Sequence, residues 1–275
     1  PDIGIGNKPI DDGNYLFSLE EKEKFVKAEP NSARYFRPWY GSDEFINRRP
    51  RFCLYLNDAQ PSELRKMPMV IQRIENVRLF RLQSKSSGTV KLAQTPTRFH
   101  VENAPSSTYL IIPETSSENR YYIPIGFIDA NCLASNAVRI LPNATLYHFG
   151  ILTSSTHMAW MRTVAGRLKS DYRYSAQIVY NNFPWPEPTP AQREKIEQTA
   201  QGVLDARERY PEASLADLYD DLTMPPDLRK AHKANDEAVW EAYGRAWPLD
   251  DEPACVAYLM KLYQELISAS IQKEN

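Results

Sequence analysis

Asn182-Phe-Pro-Trp-Pro-Glu-Pro-Thr-Pro190 decides how this chain divides. Four prolines fall within seven residues, a density that neither a helix interior nor a central strand tolerates. The same stretch ends in a helix start. Thr189 is placed to cap, Pro190 takes the first helical position, and Gln192 completes a capping box. A domain boundary is therefore expected here, splitting the chain into residues 1–186 and 187–275.

Downstream, Ile196, Ala200, Val203, Leu204 and Ala206 recur at helical spacing. Ser214 opens a second helix before Leu215-Ala-Asp-Leu218. A third starts at Pro226, carries Leu228, Ala231, Val239 and Tyr243, and stops near Gly244. A fourth begins at Pro253 with Val256, Leu259, Met260, Tyr263 and Leu266. Residues 187–275 read as a small all-α domain.

Upstream the pattern is mixed. Ser18 and Glu21 form a capping box for a helix over Leu19 to Ala28. A further helix runs from Ser62 to Lys66 and is expected to stop near Pro68. Helix is expected again from Thr156 to Val164. Strands are expected at Arg51–Leu56, Arg98–Val101, Thr108–Ile112, Arg120–Ile125, Thr145–Phe149 and Tyr174–Tyr180, all rich in β-branched and aromatic residues. The expected class is α+β: a mixed, mainly antiparallel β domain with a few helices, followed by the helical domain.

Composition excludes several functions. The net charge of −2 rules out a polycation, and no apolar run reaches the roughly 18 residues of a membrane span. Cys53, Cys132 and Cys255 are odd in number and far apart, which argues against a disulfide framework and fits a reducing cytoplasm. Charge is unevenly divided, +6 over residues 1–186 and −8 over 187–275. Such asymmetry is one of the marks of nucleic-acid binding, although two ordinary solvated surfaces give it too. The chain opens with Pro1-Asp2 rather than Met, so a piece of a longer protein is expected.

Catalytic motifs are missing. There is no Gly-x-Gly-x-x-Gly, Walker loop, His-Glu-x-x-His or Gly-x-Ser-x-Gly. His100, His148, His157 and His232 are scattered, without metal-ligand spacing. His157 is expected to be structural, and His232 to pair with Asp236 one helical turn on. Asn182-Phe183-Pro184-Trp185 is similar to the Asn-Pro-Pro-aromatic loop of amino-methyltransferases, but residue 183 is Phe and no glycine loop precedes it. Phe183 and Trp185 read instead as core anchors.

A set of segments carries a broader resemblance: Arg34-Tyr-Phe-Arg-Pro-Trp-Tyr-Gly-Ser-Asp-Glu-Phe-Ile-Asn47, Arg51-Phe-Cys-Leu-Tyr55, Tyr122-Ile-Pro-Ile-Gly-Phe127, Phe149-Gly-Ile-Leu-Thr-Ser-Ser155, Gly166-Arg-Leu-Lys-Ser-Asp-Tyr-Arg-Tyr-Ser175 and Asn182-Phe-Pro-Trp-Pro186. In this order they resemble the C-terminal third of MmeI-like DNA methyltransferases, the single-chain type IIL restriction–modification enzymes and their relatives. Leu228-Arg-Lys-Ala-His232, Asp236 and Ala242-Tyr-Gly244 extend the likeness into the helical part. The resemblance implies a target recognition domain plus helical extension. The S-adenosylmethionine-dependent adenine methyltransferase, and any nuclease fused to it, would lie upstream in the same polypeptide. It implies double-stranded DNA as partner, no cofactor or catalytic residue in this chain, and no activity of the chain alone.

Within that reading, Arg167-Leu-Lys-Ser-Asp-Tyr-Arg173 holds the chemistry for base edges. Lys169 would donate to guanine while Asp171 accepts from the paired cytosine. Two positions apart in extended chain, they are expected to share a face. Asn136 and Ser117 are further base-reading candidates; Arg120, Arg139, Arg162, Arg167 and Arg173 are phosphate candidates by type. Tyr172 and Tyr174 are candidates for DNA contact or core packing. The competing readings are a protein-interaction or structural domain of the same assembly, which calls for an apolar surface patch, and a complete small enzyme, which calls for the absent motifs.

Overall fold

Capping signals in the sequence become helices in the structure, a computed structural model that describes residues 1–274, with side chains to Ala269. Leu19–Ala28 starts at the Ser18–Glu21 capping box, and Pro190–Glu208 starts at the box formed by Thr189 and Gln192. Leu215–Leu218, Pro226–Ala242 and Glu252–Glu274 complete the helical segment. The architecture is α+β. No helix among the described residues is long and apolar enough to cross a membrane.

The chain forms two compact units, and both are discontinuous. The N-terminal unit comprises Ile5–Thr108 and Ile128–Ile140. The C-terminal unit comprises Pro1–Gly4, Tyr109–Phe127 and everything from Leu141 onward.

In the N-terminal unit a four-stranded sheet orders Leu16–Phe17, Arg51–Leu54, Phe36–Tyr40 and Leu133–Ala134. The first three are antiparallel, with Leu16 opposite Cys53 and Arg37 opposite Cys53 from the other side; Trp39 and Tyr40 pair in parallel with Leu133 and Ala134. Tyr15, Phe17, Phe25, Trp39, Leu54, Val70, Val77 and Phe99 pack as its core. The helix expected over Ser62 to Lys66 is present as Pro61–Leu64 and ends before Pro68, and Pro68 also begins an unexpected one, Pro68–Leu82. Proline suits the first helical position because its missing N–H would be unpaired there. The Glu29 carboxylate, 40 residues upstream, accepts from the Met69 and Val70 amides at 2.9 Å each. A second unanticipated helix, Ser87–Leu92, follows. Arg98–Val101 is no strand: Val101 makes only an isolated bridge to Lys8.

Arg81 on the long helix is fully buried. Its guanidinium has five N–H donors, and each finds a backbone carbonyl. Nε donates to Ile10 at 2.9 Å, Nη1 to Leu92 and Thr95, and Nη2 to Pro9 and Arg98 at 2.8 Å. The loop it grips turns through positive φ at Ile10 (53°) and Asp12 (51°), and is strained at Ile10, whose side chain is branched at Cβ and rarely enters that region.

In the C-terminal unit three expected strands fail for separate reasons. Thr145–Phe149 instead caps and enters the helix Leu146–Leu152. Its Gly150 lies so close to the helix Pro190–Glu208 that a Cβ would meet Ile196 Cγ2 at 2.7 Å, and its carbonyl accepts from Asn235 Nδ2 at 2.8 Å. Helix packing thus overrides the β-propensity of the segment. Arg120–Ile125 is largely buried but has no ladder, since Pro124 lacks a donor; Ile123 N–H points to Met158 Sδ, and the Ile125 carbonyl accepts from Arg207 Nη1 at 2.6 Å. Within Tyr174–Tyr180, residues Ala176–Tyr180 form a single π-helical turn capped by Ser175. The helix expected from Thr156 to Val164 is present as Ser155–Val164.

Buried polar side chains tie these irregular segments together. Asp236 accepts from the Tyr122 hydroxyl at 2.6 Å and from the Ser155 amide at 2.7 Å. It does not pair with His232. That ring stacks on Tyr122 with centroids 4.1 Å apart, and its Nε2 lies 2.8 Å from the Tyr219 hydroxyl. Arg207 Nε donates to the same hydroxyl at 2.6 Å. His157, fully buried, lies 2.9 Å from the Tyr174 hydroxyl and is structural.

Two predictions follow from these buried groups. Arg81→Met removes a donor from five carbonyls, of which those of Leu92 and Thr95 keep a backbone N–H, and should destabilise the chain by about 3–5 kcal/mol, read as a lowered urea midpoint. Burial raises the Asp236 carboxyl from 3.8 to about 6, against its hydrogen bonds from Tyr122 and Ser155. Between those values the folded chain binds more protons than the unfolded one, so this group's contribution falls as pH rises, by roughly 3 kcal/mol in all. Asp236→Asn removes the effect. The stability of wild type minus variant should therefore decline from pH 4 to pH 6 and then level off; the opposite pull of the buried histidines is common to both proteins and cancels.

Candidate nucleic-acid interface

Gly166–Leu168 and Asp171–Arg173 form an antiparallel hairpin, with Arg167 opposite Tyr172 and Leu168 opposite Asp171. Thr115–Ser116 adds a third strand, Tyr172 opposite Ser116 and Arg173 opposite Thr115. Alternation sorts the side chains. Arg167, Tyr172 and Ser116 share one face; Leu168, Asp171, Arg173 and Thr115 share the other. Tyr172 is buried and anchors the hairpin. The Arg167 guanidinium lies 3.7 Å from the Tyr172 ring centroid and donates to the Ser170 carbonyl at 2.7 Å, bracing the turn from below.

Lys169 and Ser170 make the turn. Lys169 has φ 56°, the left-handed conformation that two-residue hairpin loops demand and that usually falls to Gly or Asn. The expected common face for Lys169 and Asp171 is therefore not formed. Lys169 stands at the tip in solvent, while half-buried Asp171 opens the returning strand. Among the described residues the two form no ion pair with each other. What they share is one end of one hairpin.

Other candidates gather around this end. The strand Thr115–Ser116 runs directly into Ser117, whose hydroxyl accepts from the Asn119 amide at 3.3 Å, and the turn closes with Arg120 N–H on the Ser117 carbonyl at 3.2 Å. Arg120 is half-buried. Burial lowers its guanidinium from the ordinary value, while the charges of Asp171 and Asp220 pull it back. Arg173 Nε donates to Glu114 at 2.9 Å, and Arg167 lies 3.6 Å from Glu118. Sequence reasoning passed over Glu114, Glu118 and Ser170. Carboxylates accept from cytosine N4, and this was the signal that could have marked the two glutamates.

Four candidates are placed elsewhere. Arg162 commits its guanidinium internally: Nε and Nη2 grip Glu252 at 2.9 and 2.7 Å, and Nη1 donates to the Tyr121 carbonyl at 3.0 Å. Asn136 and Arg139 belong to the N-terminal unit. Asn136 is exposed in a turn closed by Val138 N–H on the Ser135 carbonyl, and Arg139 is half-buried in the following strand, Val138–Leu141. Tyr174 is fully packed into the core.

The Asn182–Trp185 stretch holds its unit together. Phe183 is buried against His157, ring centroids 4.6 Å apart. The Pro184 carbonyl accepts from the Tyr243 hydroxyl at 2.7 Å, so it is not open to an amino group. Among the described residues no group of three His, Cys, Asp or Glu side chains could hold a metal ion.

Residues 1–187 match the family described as MmeI, target recognition domain, and residues 188–271 match MmeI, C-terminal domain. DNA methyltransferase A of Bacillus subtilis (strain 168) is 39% identical over 266 residues, covering 97% of this chain and 30% of that protein. A solved structure of the type IIL restriction-modification enzyme MmeI in complex with DNA is 50% identical with a TM-score of 0.95, covering 98% of this chain and 36% of that chain. This chain thus spans about a third of the length of both relatives. With most of its length matched by the target recognition domain and nearly all the remainder by the C-terminal domain, the chain belongs to the MmeI family.

Proposed function

We propose that this chain is the DNA sequence-recognition module of an S-adenosylmethionine-dependent adenine-N6 DNA methyltransferase of the restriction–modification type. It positions duplex DNA so that the target adenine can leave the stack for a catalytic domain elsewhere in the same polypeptide. The cofactor would bind in that domain. The observation that carries the reading is the Gly166–Arg173 hairpin, which presents an ammonium and a carboxylate at one accessible end with guanidinium groups beside them.

A two-stranded ribbon fits the major groove, where every base pair has a distinct donor and acceptor pattern. Lys169 donates to guanine O6 or N7, and Asp171 accepts from N4 of the paired cytosine. The turn geometry suits this division better than a shared face would. A tip residue and the first residue of the returning strand can reach toward opposite strands of one base pair. Ser117 and Asn136 carry polar groups suited to further base edges. Arg120 supplies a guanidinium with no hydrogen-bond partner among the described residues, suited to a phosphate. Arg173 and Arg167 would have to exchange their carboxylate partners for phosphates, and Arg139 is the phosphate candidate of the N-terminal unit. Arg162 serves the module by holding its helix in place.

The test is selection of bound duplexes from a random pool, with the methylation pattern of the full-length polypeptide as a second readout. Lys169→Ala with Asp171→Ala should relax discrimination at one base pair by about 1–3 kcal/mol, roughly 5- to 150-fold, and leave the other positions intact. Arg120→Ala should weaken binding evenly across sequences and lower the salt slope by about one unit. An unchanged motif in the double variant would refute the assignment.

A further inference from the structure

The helix Pro68–Leu82 leaves an unusual surface. Its buried side is Val70, Val77 and Arg81. Yet Met69, Ile71, Leu79, Phe80 and Leu82 are exposed, between 37% and 45%. Ile71, Leu79 and Leu82 lie on one side with the Glu75–Arg78 ion pair between them, and Met69 and Phe80 lie on the adjoining side, all away from the buried side. An isolated exposed Leu needs no explanation, but a cluster of this kind marks an interaction surface. The charge around it has one sign. Arg65, Lys66 and Lys85 are exposed at its two ends, whereas Arg78 is neutralised by Glu75 at 2.6 Å.

We propose that this helix face docks the part of the polypeptide that the relatives carry beyond the matched third, the methyltransferase portion, through an apolar surface edged with carboxylates. This rests on the reading of the chain as one module of a longer enzyme. Two observations select the occupant. Chains covering 30% and 36% of their relatives leave some two thirds of each relative to be accommodated. The cationic ends call for carboxylates opposite them. Duplex DNA is the poorer fit, because five large apolar side chains gain nothing against a phosphate backbone.

Single cysteines at Ile71 and Leu79, with Lys27→Cys on the exposed side of a neighbouring helix as control, test this in the full-length polypeptide carrying Cys132→Ser. Maleimide labelling rates are normalised to the same variant in denaturant. Ile71→Cys and Leu79→Cys should react at least tenfold more slowly than Lys27→Cys, without DNA and at every protein concentration. Equal rates overturn the proposal. Protection that needs added duplex would make this a DNA contact, and protection that grows with protein concentration would make it a contact between copies; either also overturns it. None of these outcomes depends on which bases Lys169 and Asp171 read, so the docking and the recognition readings can fail separately.

Discussion

The C-terminal unit hangs on one buried carboxylate. Burying a charge costs several kcal/mol unless hydrogen bonds and nearby dipoles replace the lost water. Asp236 meets that condition in part, accepting from Tyr122 and from the first amide of the helix Ser155–Val164, where the helix dipole favours negative charge, while burial still raises its carboxyl. The far end of that helix delivers Gly166 and the hairpin. A residue on the helix Pro226–Ala242 therefore fixes both the irregular Tyr122 segment and the root of the Gly166–Arg173 hairpin. Arg207 repeats the device with Tyr219 and the Ile125 carbonyl, and Arg81 repeats it in the N-terminal unit. Where ladders are short, buried ionic side chains take over the work of satisfying the backbone.

This explains what could be read from sequence and what could not. Ser18, Thr189 and Ser214 act within three residues of themselves, so their helices were legible. The start at Pro68 depends on Glu29, and the helix it opens has apolar residues on every side, so no 3.6-residue period exposes it. Thr145–Phe149 has the composition of a strand and becomes a helix because Gly150 admits Ile196 and Ala200. His232 and Asp236 sit one turn apart, yet each is claimed by a tyrosine from another segment.

The candidate interface follows the same division. The residue types of Arg167–Arg173 were legible, and the family resemblance gave them weight. Their arrangement was not, because a run of seven residues does not announce where it will turn. The reversal at Lys169 is set by cross-strand pairing and by Tyr172 in the core. Arg162 looked like any surface arginine until Glu252, 90 residues later, closed on it.

The discontinuity of the two units bears on how the chain is made. Synthesis is vectorial, and the N-terminal unit is complete once residue 140 has emerged. The C-terminal unit has by then received Tyr109–Phe127, including the buried apolar strand Tyr109–Pro113. Tyr122 must wait for Asp236, and the Ile125 carbonyl for Arg207. At ordinary translation rates the chain from 140 to 236 takes roughly 5–20 s. For that interval the apolar stretch Tyr122–Ile125 waits on the ribosome without Asp236 and Arg207, so the nascent chain, rather than the mature protein, is where chaperone dependence should be concentrated.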